Sequence, residues 1–407
     1  MPMVDAPLDV AISGAGPVGL MLATALAARG ARVAVFEAGG PPDWSSELPD
    51  MRVSSLTPAS RCMLQRLGVW DAIVERRVSP FEAIHAWDAA GAAVRFHAAD
   101  VDEPALGYLV EHSLLQTVLD RALRQHQSGR VQRHYHCRID DVLVDTDCCR
   151  LRMSDGATVR ARLLVAADGA RSALRQRMGI DVRSRSYGQQ GLVAAVRPSV
   201  SHGRIARQRF MPGGPLALLP LQDDWCSIVW SLPEAEAQRL QTLDDDAFLA
   251  ALDEASGEVL GSMRETGPRR LFPLYAQQAD RYVGRRFALV GDAAHVIHPL
   301  AGQGVNLGLL DAAALAEVVG DALEEGVDPG THARLRRYAR WRRSDNQPVQ
   351  WAMEGFHWLF SNADPARRLA RNLGFMATDR LPMAKRLFVR FALTSGAHLP
   401  RLALGKR

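Results

Sequence analysis

Residues 8–37 decide the fold of this chain: LDVAISGAGPVGLMLATALAARGARVAVFE. The apolar run at 8–13 predicts a short strand, and the Ala- and Leu-rich run at 18–29 predicts a helix that Gly30 ends. A second apolar run at 31–36 predicts another strand. The order strand, Gly-rich turn, helix, strand predicts a βαβ unit at the start of a parallel sheet.

Three glycines, Gly14, Gly16 and Gly19, stand between the first strand and the helix in GxGxxG spacing. The first permits a tight turn, the second lets a pyrophosphate approach the backbone, and the third lets the helix pack closely on the strand. Glu37 ends the second strand, 23 residues after Gly14, where a carboxylate accepts hydrogen bonds from a ribose diol. The whole unit predicts dinucleotide binding but does not separate NAD from FAD.

Composition excludes several classes of protein. With 407 residues, 47% hydrophobic and 23% charged, the chain is a globular protein of about two or three structural units. Its formal net charge of +4 is too small to indicate nucleic-acid binding. Five cysteines without CxxC spacing predict no disulfide framework and no metal site, and they favour the reducing cytoplasm. Residues 10–28 carry no charge, but acids precede them and glycines interrupt them, which argues against a membrane span.

The end of the chain is basic. Ten Lys or Arg residues and one acid, Asp379, lie between Ala366 and Arg407. The same segment carries Leu and Phe residues, so it is amphipathic as well as cationic. Contact with a membrane or a partner is as well supported as a solvated helix face.

Two further segments carry polar residues at strand ends. LLVAADGARS, from Leu163 to Ser172, predicts a strand that ends in an Asp168-Gly169 turn, which by itself is more often an ordinary turn than a cofactor contact. FALVGDAAH, from Phe287, is more specific because its strand delivers Asp292 as an acceptor for sugar hydroxyls. The glycines at 302–304 let the backbone approach a flat ligand, and a helix that starts near 304 stabilises negative charge on it.

The order of these three motifs resembles the FAD-dependent aromatic hydroxylases of the para-hydroxybenzoate hydroxylase superfamily, the group A flavoprotein monooxygenases. The resemblance covers nearly the whole chain and decides for FAD. The stretches most similar to the ubiquinone-biosynthesis hydroxylases of that superfamily are HPLAGQGVNLG from His298, RVSSLTPAS from Arg52, FSN from Phe360 and RNLG from Arg371.

The resemblance implies a set of site residues. Glu37 contacts the adenosine ribose, Arg52 lies along the FAD, Asp168 approaches the pyrophosphate and Asp292 holds the ribityl chain. The expected flavin-ring environment, where catalysis takes place, is Pro299, Gly302, Gln303 and Gly304. The other expected cofactor contacts are Gly14, Gly16, Gly19, His112, Gly291, Gly304, Val305 and Asn306, and His112 stands where the family has Asn or Gln. His295 and His298 stay outside the catalytic set, because a structural role in a rigid turn is at least as well supported.

The resemblance also implies a reaction. NAD(P)H binds transiently and reduces a non-covalently bound FAD, O2 adds as a flavin C4a-hydroperoxide, and a phenolic ring, expected to carry a polyprenyl tail, is hydroxylated. Two alternatives stay open: a flavin-dependent reductase of an isoprenoid, and a catalytically silent flavin-binding subunit of a quinone-biosynthesis complex. The expected location is the cytoplasm, with peripheral contact to the inner membrane face or to such a complex through the basic tail.

We therefore expect an α/β protein with a Rossmann-like FAD-binding domain, a substrate domain on a mostly antiparallel sheet, and a C-terminal helical region. The expected limits are 1–75, 101–182 and 280–335 for the FAD-binding domain, 76–100 and 183–279 for the substrate domain, and 336–407 for the helical region with its basic tail.

Local patterns predict two helix starts. Thr57 and Pro58 read as the N-cap and first residue of a helix, and Ser113 to Gln116 reads as a capping box. The apolar residues available to line a substrate pocket are Phe210, Leu218, Leu219, Trp225 and Trp230, although apolar strand residues more often belong to a core.

Overall fold

The computed structural model describes residues 7–88, 93–125, 129–297, 302–360 and 398–405. Its α-helices are α1 (Pro17–Ala27), α2 (Pro58–Arg66), α3 (Trp70–Val74), α4 (His112–Gln125), α5 (Ala173–Arg177), α6 (Glu234–Thr242), α7 (Asp245–Ser256), α8 (Gly304–Glu324) and α9 (His332–Phe360). Its strands are β1 (Leu8–Ser13), β2 (Val33–Phe36), β3 (Val53–Leu56), β4 (Ser79–Phe81), β5 (Ala83–Asp88), β6 (Ala93–His97), β7 (Gly107–Glu111), β8 (Val131–His134), β9 (Ile139–Val144), β10 (Cys149–Met153), β11 (Thr158–Ala166), β12 (Val182–Pro198), β13 (Ile205–Phe210), β14 (Leu216–Pro220), β15 (Cys226–Pro233), β16 (Met263–Thr266), β17 (Arg270–Ala279), β18 (Val283–Gly284), β19 (Phe287–Leu289) and β20 (His295–Val296).

The first sheet holds the βαβ unit. Its strand order is β18-β19-β11-β1-β2-β8, and all neighbours from β19 to β8 run parallel. β10 and β9 extend it antiparallel from β11. Helix α1 packs against α8 and α4 beside these strands. Every residue of β2 is buried, which explains why the sequence shows a continuous apolar run there.

The second sheet is mostly antiparallel. Its order is β20-β17-β12-β15-β14-β13-β5-β6, with β16 paired to β12, and β13 runs parallel to β5. Helices α6 and α7 contribute to the core on one face, with Leu218 and Trp230 among the buried strand residues. A third, small sheet, β3-β7-β4, packs against β5, β6 and β13 through a separate cluster that includes Phe210.

The α/β class with a Rossmann-like parallel sheet is confirmed, and several local predictions can be compared with the structure. The start of α2 is as expected, because the Thr57 hydroxyl accepts a hydrogen bond from the Ser60 amide at 3.3 Å. The capping box at Ser113 was wrong. Helix α4 already begins at His112, and the Asp50 carboxylate accepts the Ser113 amide hydrogen at 3.2 Å.

The five apolar candidates for a substrate pocket lie in or against cores. Leu218 and Trp230 belong to the cluster with α6 and α7, and Phe210 belongs to the cluster under the third sheet. Leu219 and Trp225 are partly buried against the same cluster as Phe210. The core interpretation therefore accounts for all five. The domain limits given above stay a prediction.

The end of the chain returns to the first sheet's helices. Arg401 forms ion pairs with Glu317 and Asp321 of α8, and Ala403 is buried. Most of the basic tail, 361–397, lies outside the described residues. Among the helices in the described ranges, none has both the length and the apolar character that a membrane span requires.

Candidate functional site

A cleft of about 830 Å³ opens at the carboxyl ends of the parallel strands. The ends of β1 and β2 line it with Ser13 and Phe36, and the residues after β11 and β19 line it with Ala167 and Val290. In open parallel sheets this edge is where ligands bind. The volume is typical of a cofactor site.

The glycine-rich turn after β1 forms one wall of the cleft. Gly14 has a φ of +106°, and a Cβ there would lie 2.3 Å from the Ala167 carbonyl oxygen. At Gly19 a Cβ would lie 2.1 Å from the Gly14 carbonyl oxygen, so this glycine permits the helix to approach the turn. A Cβ at Gly16 would meet nothing within 4 Å. The backbone at Gly16 is thus accessible to a ligand, as the spacing predicts.

Glu37 faces the same turn from the end of β2. Its Oε2 accepts the Ala15 amide hydrogen and its Oε1 accepts that of Gly39, both at 2.8 Å. The carboxylate is therefore fixed at the cleft edge, beside the glycine-rich turn, in a position to accept from hydroxyl groups of a ligand.

Arg52 and His112 line the cleft together. The His112 amide donates to the Arg52 carbonyl at 2.9 Å, which joins the two backbones. Burial, and then the charge of Arg52, lower the pKa of His112 to about 3, so the imidazole is neutral at pH 7. Its Nδ1 is buried and has no hydrogen-bond partner in the described protein. A polar atom in this condition at a cleft wall suits a ligand contact.

Two carboxylates enter the cleft from turns that follow neighbouring strands. Asp168 follows β11 and Asp292 follows β19. Burial raises the pKa of both, although the charge of Arg52 partly opposes this at Asp292. The Asp168 Oδ2 accepts the Leu174 amide hydrogen at 3.4 Å, whereas its Oδ1 is buried without a partner among the described residues.

Helix α8 points its amino terminus at the cleft. The helix begins at Gly304, its N-cap Gln303 makes no side-chain cap, and Gly302, Gly304 and Val305 line the cleft. The dipole of this 21-residue helix favours negative charge at its amino terminus.

Several predicted residues do not line the cleft. Gly19, Gly291, Gln303 and Asn306 are absent from its walls, and Pro299 lies outside the described residues.

Asn306 shows what such a residue does instead. Its Oδ1 accepts from the Thr57 amide at 2.9 Å and the Ser60 hydroxyl at 2.7 Å, and its Nδ2 donates to the Ser55 carbonyl at 2.7 Å. The fully buried side chain therefore holds β3 and α2 against the start of α8.

Sequence reasoning missed two buried groups beside the site. Arg175 donates to the carbonyls of Ala293 and Ala170, both at 2.9 Å, and so joins the turns that carry Asp292 and Asp168. Nothing in the sequence marks that role. Asp311 receives the Gly291 amide hydrogen, and its signal was available, because it is the one charged residue in the apolar run 305–316 of α8.

The residues present fit an extended dinucleotide. One continuous cleft is lined by an open glycine turn, a carboxylate beside it and the amino terminus of α8. Two buried polar atoms in its walls, His112 Nδ1 and Asp168 Oδ1, have no hydrogen-bond partner among the described residues. Each is an acceptor or donor suited to ribose, phosphate or a flavin ring.

Comparisons with known proteins agree with this chemistry. The family described as FAD binding domain matches residues 7–353. The 3-demethoxyubiquinol 3-hydroxylase of Escherichia coli K12 is 38% identical over 96% of this chain and 100% of its own length. Ubiquinone hydroxylase UbiL of Rhodospirillum rubrum is also 38% identical, over 98% of this chain and 94% of its own.

A solved structure agrees at the level of the fold. The p-nitrophenol 4-monooxygenase PnpA of Pseudomonas putida superposes with a TM-score of 0.79 at 20% identity, and the match covers 97% of this chain and 99% of that one.

Proposed function

This chain belongs to the FAD-binding family of flavoprotein monooxygenases that contains the ubiquinone-biosynthesis hydroxylases, and we propose that it hydroxylates the ring of a phenolic intermediate of ubiquinone biosynthesis. The observation that carries the proposal is the identity of 38% with a demethoxyubiquinol hydroxylase along that enzyme's whole length. The cleft supports it, since polar groups suited to FAD follow it from the glycine turn to α8.

FAD lies non-covalently along this cleft. Glu37 would accept from the adenosine ribose, Gly14 and Gly16 would admit the pyrophosphate next to Asp168, and Asp292 would accept from the ribityl hydroxyls, since all of them line the cleft. Arg52 and His112, which also line it, would contact the cofactor between these two ends. The flavin ring would then lie near Gly302 and the first residues of α8, Gly304 and Val305.

Bound FAD supplies the redox chemistry, because it takes electrons from NAD(P)H and activates O2. The protein contributes position and electrostatics. The amino terminus of α8 stabilises negative charge at the ring end, and Asp292 fixes the side chain behind it. The neutral His112 can form a hydrogen bond with the cofactor without placing a second positive charge next to Arg52.

The substrate carries a polyprenyl tail, so the enzyme works in the cytoplasm at the face of a membrane or within a biosynthetic complex. The basic tail is the proposed contact. Arg401 is an exception within it, because its guanidinium already pairs with Glu317 and Asp321 of α8. The docking charges therefore belong to the other basic residues of the tail.

A substrate series tests the proposal. The purified protein is supplied with FAD, NADH or NADPH, and phenols with and without a short isoprenoid tail, and the consumption of nicotinamide and of O2 is followed. We expect both to be consumed in equal amounts, with a lower KM for the tailed phenol. Nicotinamide oxidation without O2 would favour an isoprenoid reductase, and FAD binding without any turnover would favour a silent subunit.

A further inference from the structure

A cluster of buried polar side chains lies behind the turn that carries Asp292. It consists of His295 from β20, Asp311 from α8, and Arg342 and Asn346 from α9, and we call it the Asp311 cluster. None of the four is more than 2% exposed, and none lines the cleft.

Asp311 accepts hydrogen bonds at both carboxylate oxygens. Its Oδ2 accepts from the Gly291 amide at 3.1 Å and from His295 Nε2 at 2.6 Å. Its Oδ1 accepts from Arg342 Nε at 2.7 Å and from Asn346 Nδ2 at 3.1 Å. Burial by itself would raise the pKa of Asp311, but His295 and Arg342 outweigh it and lower the pKa to about 2. The group is thus a carboxylate at any physiological pH.

Arg342 is held by its own helix. Its Nη1 contacts Asp345 Oδ2 at 3.2 Å and its Nη2 donates to Asn346 Oδ1 at 2.6 Å, three and four residues further along α9. These contacts leave Nε directed at Asp311. Helix α9 therefore fixes the charge opposite Asp311, although none of its described side chains lines the cleft.

The Gly291 amide is the point where the cluster reaches the cofactor cleft. Gly291 has a φ of +60° and directly precedes Asp292, whose side chain enters the cleft. A shift of the peptide between them moves the Asp292 carboxylate. Fully buried and hydrogen-bonded neighbours hold such a turn more rigidly than solvent does.

We propose that Asp311 is a positioning residue for bound FAD, acting through the Gly291 amide and His295 to fix the turn that presents Asp292. The inference rests on the proposed placement of the ribityl chain at Asp292. It makes Arg342 and Asn346 of α9, which do not line the cleft, necessary for full cofactor affinity.

The test is FAD affinity in Asp311→Asn, measured by flavin fluorescence on titrating the apo-protein, with circular dichroism to establish folding. Removing the charge weakens the hold on Gly291 and His295, so we expect the Kd for FAD to rise about tenfold, equivalent to about 1.4 kcal/mol. Asp345→Asn is the matched control. It removes a buried carboxylate from the same Arg342 but touches neither Gly291 nor His295, so it should lose stability and keep the Kd within about twofold of wild type.

A double variant distinguishes a positioning role of Asp311 from a general loss of rigidity in the protein. When Asp292→Ala has already removed the contact, adding Asp311→Asn should raise the Kd no further, because Asp311 acts through Asp292. If Asp311→Asn fails to fold, Asp311→Glu replaces it: the charge that Arg342 needs is kept, while the carboxylate moves by one methylene from the Gly291 amide.

The outcomes are distinct. If Asp311→Asn and Asp345→Asn change the Kd equally, or if Asp311→Glu binds FAD like wild type, Asp311 does not position the cofactor. If Asp292→Ala itself binds FAD like wild type, the placement of the ribityl chain falls as well. Weakening by Asp292→Ala without weakening by either Asp311 variant overturns only the positioning role.

Discussion

Individual polar atoms at the cleft show what the sequence can and cannot predict about a residue. The glycine spacing and Glu37 were predictable because each has a local reason, a turn or a strand end. The neutral state of His112 was not, because it depends on burial by distant segments and on the charge of Arg52. Residue type is local, whereas protonation depends on tertiary structure.

At the two cleft carboxylates we expect unequal effects on FAD retention. If the ribityl chain binds at Asp292 as proposed, Asp292→Ala leaves its hydroxyls without their acceptor, which costs about 1 to 3 kcal/mol of binding free energy. Asp168→Ala should cost less, because amides of the glycine turn would also hold the pyrophosphate. The absorbance ratio of flavin to protein after gel filtration measures both, with the exposed Asp181→Ala as control. Equal flavin content in all of them contradicts the assignment of Asp292.

The stability of the apo-protein should depend on pH through His112. Its folded pKa is about 3, below the usual 6.5, so between these values the unfolded chain binds a proton that the folded chain does not. Stability therefore falls as pH decreases through this window, by up to about 1.4 kcal/mol per pH unit. Urea unfolding of His112→Asn should show a flatter profile than wild type from pH 6.5 downward. The exposed His97→Asn serves as control, and parallel curves for all three proteins would contradict the burial of a neutral His112.

At the scale of elements, the start of a helix could be predicted only where its capping residue is close in sequence. The start of α2 was predictable because its cap, Thr57, is adjacent in sequence. The start of α4 was not, because Asp50 caps it from 63 residues away and displaces the local capping box. Likewise Asn306 and Asp311 were recognisable as unusual residues in α8, but their partners on α2 and α9 could be known only from packing.

Gly308 lies where α8 packs closely against α1 and the Gly291 turn. A Cβ there would lie 2.6 Å from Val18 Cγ2 and 3.2 Å from the Gly291 Cα. Gly308→Ala should therefore lower the free energy of unfolding by about 1 to 3 kcal/mol, as overpacking does. The control is Gly355→Ala in α9, where a Cβ meets nothing within 4 Å and helix propensity gains about 0.5 to 1 kcal/mol. Thermal unfolding of both tests it, and a Gly308→Ala protein as stable as wild type would show that α1 and α8 do not cross so closely.

At the scale of the whole molecule, the two large sheets differ in how far the sequence predicts them. The parallel sheet carries the cofactor cleft, and its class was predictable because its buried strands read as apolar runs. The second sheet was predictable as antiparallel, but not its order or its parallel β13–β5 pair, since strand pairing across 120 residues leaves no local trace. The substrate-facing residues stayed unassigned for the same reason.

The tail is predicted to bind an anionic surface. The residues to be changed, Arg386 and Arg390, lie within 361–397, outside the described residues. Each basic residue near an anionic membrane contributes about 1 kcal/mol, which salt screens. Reversing both to Glu should weaken co-sedimentation with anionic vesicles at low salt while FAD content stays constant. Reversing the exposed Arg183 and Arg239 gives the same change of net charge away from the tail and should not. If the wild-type protein binds no vesicles at low salt, the tail is a solvated surface.

Incorporation of heavy-isotope oxygen into product tests directly whether this chain hydroxylates an aromatic ring. The purified protein with FAD and NAD(P)H is given labelled O2 and a phenol carrying an isoprenoid tail, and the product is analysed by mass spectrometry. A hydroxylase of this family inserts one atom of O2 into the ring, so we expect a product heavier by a single labelled oxygen. A product without label, or one formed equally well without O2, would show that the chain is not a hydroxylase of this kind.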